Sequence, residues 1–256
     1  MKFGIIQGRL SPPDNGFQEC PVDWKREFDL LDAVGLSYIE WIITKESFAT
    51  NPFLSFAEDL SSYPIKSVCA DNLVDKNIHS YEYLRKNLEP ICESALVNGV
   101  ECVTIPLLED SHMETSGLRD AFKDNILKIH EKYSDLVFSF EAELPIAELC
   151  GIVSEVKNFK VTYDTGNTTS YGLDHGEYIS TFHNKINNIH LKDRTLEGKT
   201  VTPGTGETPF GEIFEQVKAQ QCGNEFTLQS ARGISGEETQ TIQNYIKLYK
   251  GIYNDS

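Results

Sequence analysis

Four side chains suited to a divalent cation fall at the ends of four successive apolar segments of this chain. FSFEAEL carries Glu141, VTYDT carries Asp164, NIHLKD carries His190 and EFTLQS carries Gln229. Two carboxylates, an imidazole and an amide oxygen make a mixed nitrogen–oxygen donor set. Such a set suits one divalent ion, Mn, Zn, Mg or Co, with positions left open for a substrate. A lone Asp or His at a strand end is ordinarily a cap or a turn residue. Four donors on consecutive segments form a stronger signal than any one of them.

The segments read as strands, whose side chains alternate between two faces. Phe138 and Phe140 oppose Ser139, Glu141 and Glu143; Val161 and Tyr163 oppose Thr162 and Asp164. Ile189 and Leu191 oppose His190 and Lys192, and Phe226 and Leu228 oppose Thr227 and Gln229. Each strand thus turns bulky apolar residues one way and its polar donor the other. In the first strand Gln7 and Arg9 share a phase with Phe3 and Ile5, which predicts both over the same mouth.

Strands and helices must alternate to hold such a set. Strands are expected at MKFGIIQGRL, SYIEWII, IKSVCAD, ECVTIPLLE, LVFSFEAEL, FKVTYDTGN, INNIHLKD and NEFTLQSAR. Helices are expected near Val22–Val34 (closed by Gly35), Pro52–Ser62, Tyr81–Asn98, Gly117–Tyr133, Ile146–Lys157, Glu177–Asn184, Glu212–Gln220 and Glu237–Tyr249. SPPDNGFQECP reads as a turn-forming loop, and a turn-rich loop is expected after Asp164. Eight alternations with short connections in 256 residues predict an α/β chain forming one (β/α)8 TIM-barrel domain over residues 1–256. Its active site is expected at the C-terminal ends of the strands. A doubly wound open sheet is the alternative, but no GxGxxG follows the first strand.

Further residues fall at this rim. Arg9 can hold a phosphate or carboxylate in a bidentate fashion, or pair with an acid such as Glu40. Asp71 and Asn167 are candidates for substrate binding, Asp71 equally for capping its loop. Lys192 and Arg232 can balance an anionic substrate. The PGTG loop, with Gly204 and Gly206, lies where such barrels often bind phosphate through backbone N–H groups; a plain tight turn explains the same residues.

The net charge of −16 opposes binding to nucleic acid, and no basic run offsets it. No apolar run approaches the roughly twenty residues of a membrane span, and MKFGIIQGRL reads as a strand rather than a signal peptide. The six cysteines (Cys20, Cys69, Cys92, Cys102, Cys150, Cys222) include no CxxC pair and are expected as buried free thiols. The expected setting is the cytoplasm, and a homo-oligomer is compatible with it.

From IIQGRLSP through IEW to FEAEL, YDTGN, IHLKDR, PGTG and LQSAR, the chain resembles the xylose isomerase-like TIM-barrel superfamily, in particular its sugar-phosphate isomerase/epimerase branch. The resemblance implies a single divalent cation held by Glu, Asp, His and Glu from strands five to eight, here Glu141, Asp164, His190 and Gln229. It further implies proton abstraction beside a carbonyl of a sugar or sugar phosphate, through a metal-stabilised enediolate. Gln229 departs from the pattern, because an amide accepts no proton at neutral pH and the two-glutamate shuttle is lost. Glu143 can serve as base or ligand, or merely pair at the rim. His175, Lys192 or Glu109 can supply the second transfer, or the chemistry needs one base only. A keto-polyol dehydratase and a non-catalytic sugar-binding descendant are the alternatives. The apurinic endonucleases of the same fold use several zinc ions, many histidines and a basic surface, which this chain lacks.

Overall fold

The computed structural model describes residues 1–13, 19–55 and 59–256. Part of the expected loop after the first strand and the middle of the helix expected at Pro52–Ser62 lie outside them. Among the described residues there are ten strands: β1 (Lys2–Ile6), β2 (Tyr38–Ile42), β3 (Ile65–Cys69), β4 (Cys102–Leu107), β5 (Val137–Ala142), β6 (Phe159–Asp164), β7 (Ile186–Leu191), β8 (Asp193–Arg194), β9 (Thr200–Val201) and β10 (Glu225–Leu228). Eight close into a barrel in the order β1-β10-β7-β6-β5-β4-β3-β2, with helices alternating along the chain, a (β/α)8 TIM barrel. The short antiparallel pair β8–β9 was not foreseen from the sequence.

Two parts of the chain are each compact: Met1–Ile39 with Val161–Ser256, and Glu40–Lys160. In the first, β6 pairs with β7 and β10 with both β7 and β1, all parallel. Phe3 is opposite Phe226, and Phe226 meets Phe214 and Tyr253 of the helices Phe210–Ala219 and Glu238–Asp255. That contact places the Phe3 phase of β1 on the helix side, contrary to the phase expected for Gln7 and Arg9. Gly4 is the residue facing inward, where a Cβ would lie 1.9 Å from the Tyr38 ring. The Tyr38 hydroxyl lies 3.2 Å from Thr227 Oγ1. A residue with no side chain gives no phase signal, so the alternation of β1 is unreadable from its sequence. Gln7 and Arg9 follow the strand in a turn and are both buried.

In the second part β4 pairs with β5 in register, Thr104 opposite Ser139 and Pro106 opposite Glu141. The outer face of β5 packs through Phe138 and Phe140 onto Phe159, Phe122 and His130. Trp41 also packs outward, against Phe53, its Nε1 donating to Asn51 Oδ1 at 2.9 Å.

Three helices differ from expectation. The stretch Tyr81–Asn98 is broken at Leu88 into Tyr81–Asn87 and Glu89–Val97, because Pro90 cannot donate within a continuous helix but is tolerated in a first turn. The described helix after β2 spans only Pro52–Ser55. The loop expected after Asp164 is a helix, Thr165–Ser170. The described cysteines are free; Cys69, Cys92 and Cys102 are buried, and Cys20, Cys150 and Cys222 are half-buried. No helix among the described residues is long and apolar enough to cross a membrane.

Candidate functional site

Asp164 ends β6 directly opposite His190 on β7, and His190 is in turn opposite Thr227 on β10. Gln229 lies two residues beyond Thr227 and so returns to the same face. Asp164, His190, Lys192 and Gln229 are all at most 5% exposed. One ligand atom from each of Glu141, Asp164 and His190 lies within 4.8 Å of the other two. Gln229 Oε1 is buried and accepts no hydrogen bond among the described residues.

The two oxygens of Asp164 have different tasks. Oδ1 accepts the Asn167 N–H at 2.8 Å and so caps the helix Thr165–Ser170. Oδ2 lies 2.8 Å from Lys192 Nζ and 3.8 Å from His190 Nδ1. Burial pushes this carboxyl up, but Lys192, His190 and Arg194 outweigh it and hold it below the usual carboxylate range. Lys192 Nζ also donates to Asn167 Oδ1 at 3.3 Å. The Lys192 backbone is clamped by Thr165, whose hydroxyl donates to the Lys192 carbonyl at 2.7 Å and accepts its N–H at 3.0 Å.

The imidazole of His190 rests on a chain of polar groups. Asn188 Nδ2 lies 3.0 Å from His190 Nε2, and Thr227 Oγ1 donates to Asn188 Oδ1 at 2.8 Å. An amide can offer either end to a ring nitrogen. With the amide turned over, its oxygen accepts the Nε2 proton, its Nδ2 donates to Thr227 Oγ1 in place of the bond above, and the Nδ1 lone pair faces Asp164. Asn188 was missed in the sequence, although its position two before His190 on one strand is a readable signal.

The donors fit a divalent cation: buried carboxylate and imidazole groups in one cluster, with an unused amide oxygen on the same face. Glu141, Asp164, His190 and Gln229 would hold it. Other expected rim residues are not all part of this group. Glu40 accepts from Thr104 Oγ1 at 2.7 Å. Glu143 Oε2 accepts the Glu109 N–H at 3.4 Å, supporting the turn Glu109–Ser111, where Glu109 has φ 51°. Asp71 opens the turn Asp71–Leu73. Arg9 donates through Nε to the Ser230 carbonyl at 3.3 Å. Arg232 donates to the Ser11 carbonyl at 3.1 Å and lies 3.3 Å from Glu19 Oε1.

A further residue unforeseen in the sequence is Glu27, which is fully buried on the inner face of the helix Trp24–Val34. Its oxygens accept the N–H groups of Gly8 and Leu10 at 2.8 and 2.9 Å, fixing the backbone on both sides of Arg9. Burial raises its carboxyl above the ordinary value, against these hydrogen bonds and the nearby Arg232.

His175 lies away from the donor cluster. Its Nδ1 accepts from the Tyr163 hydroxyl at 2.5 Å, on the face of β6 opposite Asp164, and its Nε2 donates to Thr169 Oγ1 at 3.0 Å. Burial lowers this imidazole to about 4 from 6.5. Between those values the unfolded chain binds the proton that the folded chain refuses, so stability is full above pH 6.5 and falls as the pH drops towards 4. The loss is at most about 3 kcal/mol. Denaturant titrations across this window should show a steeper pH dependence in the wild type than in His175→Gln. Equal slopes would rule out a neutral, buried His175.

No family profile and no curated protein matches the sequence. Solved structures do match over the whole chain. A D-tagatose 3-epimerase-like protein superposes with TM-score 0.73 at 17% identity, covering 100% of this chain and 99% of that one. An IolI protein with a bound zinc atom gives 0.73 at 16%, over 100% and 99%. D-psicose 3-epimerase from Clostridium cellulolyticum H10, solved with D-tagatose, gives 0.70 at 14%, over 99% of each chain. At such identities the likeness is one of fold: the chain shares the (β/α)8 barrel of these structures.

Proposed function

We propose that this chain is a divalent-metal-dependent sugar isomerase or epimerase that moves a proton on the carbon beside a carbonyl. The observation that carries the reading is the buried cluster of Glu141, Asp164 and His190. The neighbours of the same fold named as ketose epimerases support the substrate class. A cation held there by these residues and Gln229 would act as a Lewis acid towards the substrate carbonyl and its neighbouring oxygen.

The protein's own groups do the rest. Glu141 is the carboxylate assigned to take the proton; Glu143 accepts the Glu109 N–H through one oxygen, and Gln229 takes no proton. Asn188 holds the ring orientation of His190, and Thr165 and Asn167 hold Lys192 beside Asp164. With one base, proton removal and return at neighbouring carbons interconverts aldose and ketose. Return to the opposite face of the same carbon requires a second acid.

Purified protein should contain close to one divalent ion per chain, and both Asp164→Ala and His190→Ala should lose it. Incubation of the wild type with free ketoses in D2O should place deuterium beside the carbonyl. Undiminished metal in both variants would remove the basis of the proposal. A hydroxyl lost from the substrate would instead indicate the dehydratase.

A further inference from the structure

The helix Thr165–Ser170 holds two groups of the donor cluster, yet its sequence TGNTTS has little tendency to be helical. Six residues are also too few to sustain a helix without outside contacts. Its Asn167 N–H fixes Asp164 Oδ1 at 2.8 Å, and its Thr165 hydroxyl and Asn167 amide oxygen fix Lys192. One side of the helix rests against the segment it serves: at Gly166 a Cβ would lie 3.0 Å from the Lys192 carbonyl. The direction in which Asp164 presents Oδ2 therefore depends on what keeps this helix in place.

His175 ties the helix to the outer face of β6. Its Nε2 lies 3.0 Å from Thr169 Oγ1, and its Nδ1 lies 2.5 Å from the hydroxyl of Tyr163, the residue before Asp164. The Thr169 hydroxyl has one proton and gives it to the Thr165 carbonyl at 2.8 Å, so it accepts from Nε2. That arrangement leaves Nδ1 as the acceptor for Tyr163 and fixes the tautomer of the neutral ring. Tyr163 is fully buried and packs on Tyr178, the ring centroids 5.1 Å apart. On the other side Thr208 Oγ1 lies 3.3 Å from Thr169 Oγ1 and 3.4 Å from the Lys192 carbonyl. The imidazole thus joins a rigid part of the core to a helix that cannot stand alone.

We propose that His175 is a positioning residue for Asp164: its ring pins the helix Thr165–Ser170 to β6, and the pinned helix aims the Asp164 carboxylate into the donor cluster. The consequence for metal rests on the isomerase/epimerase reading, whereas the hold on Asp164 does not.

Amide hydrogen exchange of the metal-free protein, followed by NMR, tests that hold directly. In His175→Phe and in Thr169→Val the Asn167 N–H should exchange about tenfold faster than in the wild type, beyond any change at the amides of β1 and β10. An equal change at all these amides would mean that His175 only stabilises the fold, and would overturn the proposal. If His175→Phe does not fold, Thr169→Val and Tyr163→Phe, each lacking a single hydroxyl, carry the same comparison. Manganese titration is the second readout: the folded variants should bind the ion about tenfold more weakly than the wild type, and unchanged affinity would overturn the proposal. A wild type that binds no manganese would count against the isomerase reading alone, because the exchange ratio still decides whether His175 positions Asp164.

Discussion

Asp164→Ala is expected to cost about 3–5 kcal/mol of folding stability in metal-free buffer, and Asp164→Ala/Lys192→Met to recover most of it. The Lys192 ammonium is 5% exposed and lies 2.8 Å from Asp164 Oδ2. Removing the carboxylate strands a buried positive charge whose remaining partner is the neutral Asn167 amide oxygen. Breaking a buried pair in this way typically costs several kcal/mol, while replacing both members by apolar groups is often neutral. About 1 kcal/mol of the loss belongs to the cap on the helix Thr165–Ser170 and stays lost in the double variant. Urea unfolding of wild type, both single variants and the double variant closes the cycle, and a coupling above about 2 kcal/mol is expected. A double variant no more stable than Asp164→Ala alone would mean that Lys192 finds adequate solvation without Asp164.

The same pair shows which parts of the site were legible in the sequence. Asp164, His190, Lys192 and Gln229 were readable because strand alternation is local and their neighbours Tyr163, Ile189 and Phe226 are unambiguous in size and polarity. The helix at Thr165–Ser170 was not, because Gly and Thr are poor helix formers. It is held by the Asp164 cap and by Thr168 and Thr169, whose hydroxyls donate to the carbonyls of Asp164 and Thr165 at 2.8 Å each. The β1 phase failed because Gly4 carries no side chain where Tyr38 needs room. Glu27 sits among apolar residues on a buried helix face, where a pattern search registers only an interruption. The PGTG loop was located correctly, but its partner Asp193 is at least eleven residues away, and no periodicity connects them. What local chemistry governs can be read from a single sequence. What depends on a distant group filling a space cannot.

Gln229→Glu is expected to make folding depend on metal far more strongly than in the wild type, and to add the second proton-transfer group. Gln229 Oε1 is buried without a hydrogen-bond donor among the described residues, on the face shared with His190. A carboxylate there would be as buried as Gln229, which is 3% exposed. Without metal, that extra charge must be neutralised by a proton or left at a cost of several kcal/mol, so the metal-free variant should melt below the wild type. With a divalent ion present, the added charge becomes a better ligand than an amide oxygen. The interval between metal-free and metal-loaded melting points should therefore widen, and the affinity for Mn should rise by about tenfold or more. A general base typically contributes about 10²–10⁴-fold to proton transfer, so inversion at the carbon beside the carbonyl should increase by an amount in that range. Chiral analysis of the recovered ketose separates this from isomerisation. An unchanged melting interval would show that residue 229 does not contact the ion. A widened interval without any turnover of ketoses would favour a protein that binds sugar and leaves it intact, because the site would then have metal and both carboxylates yet no chemistry.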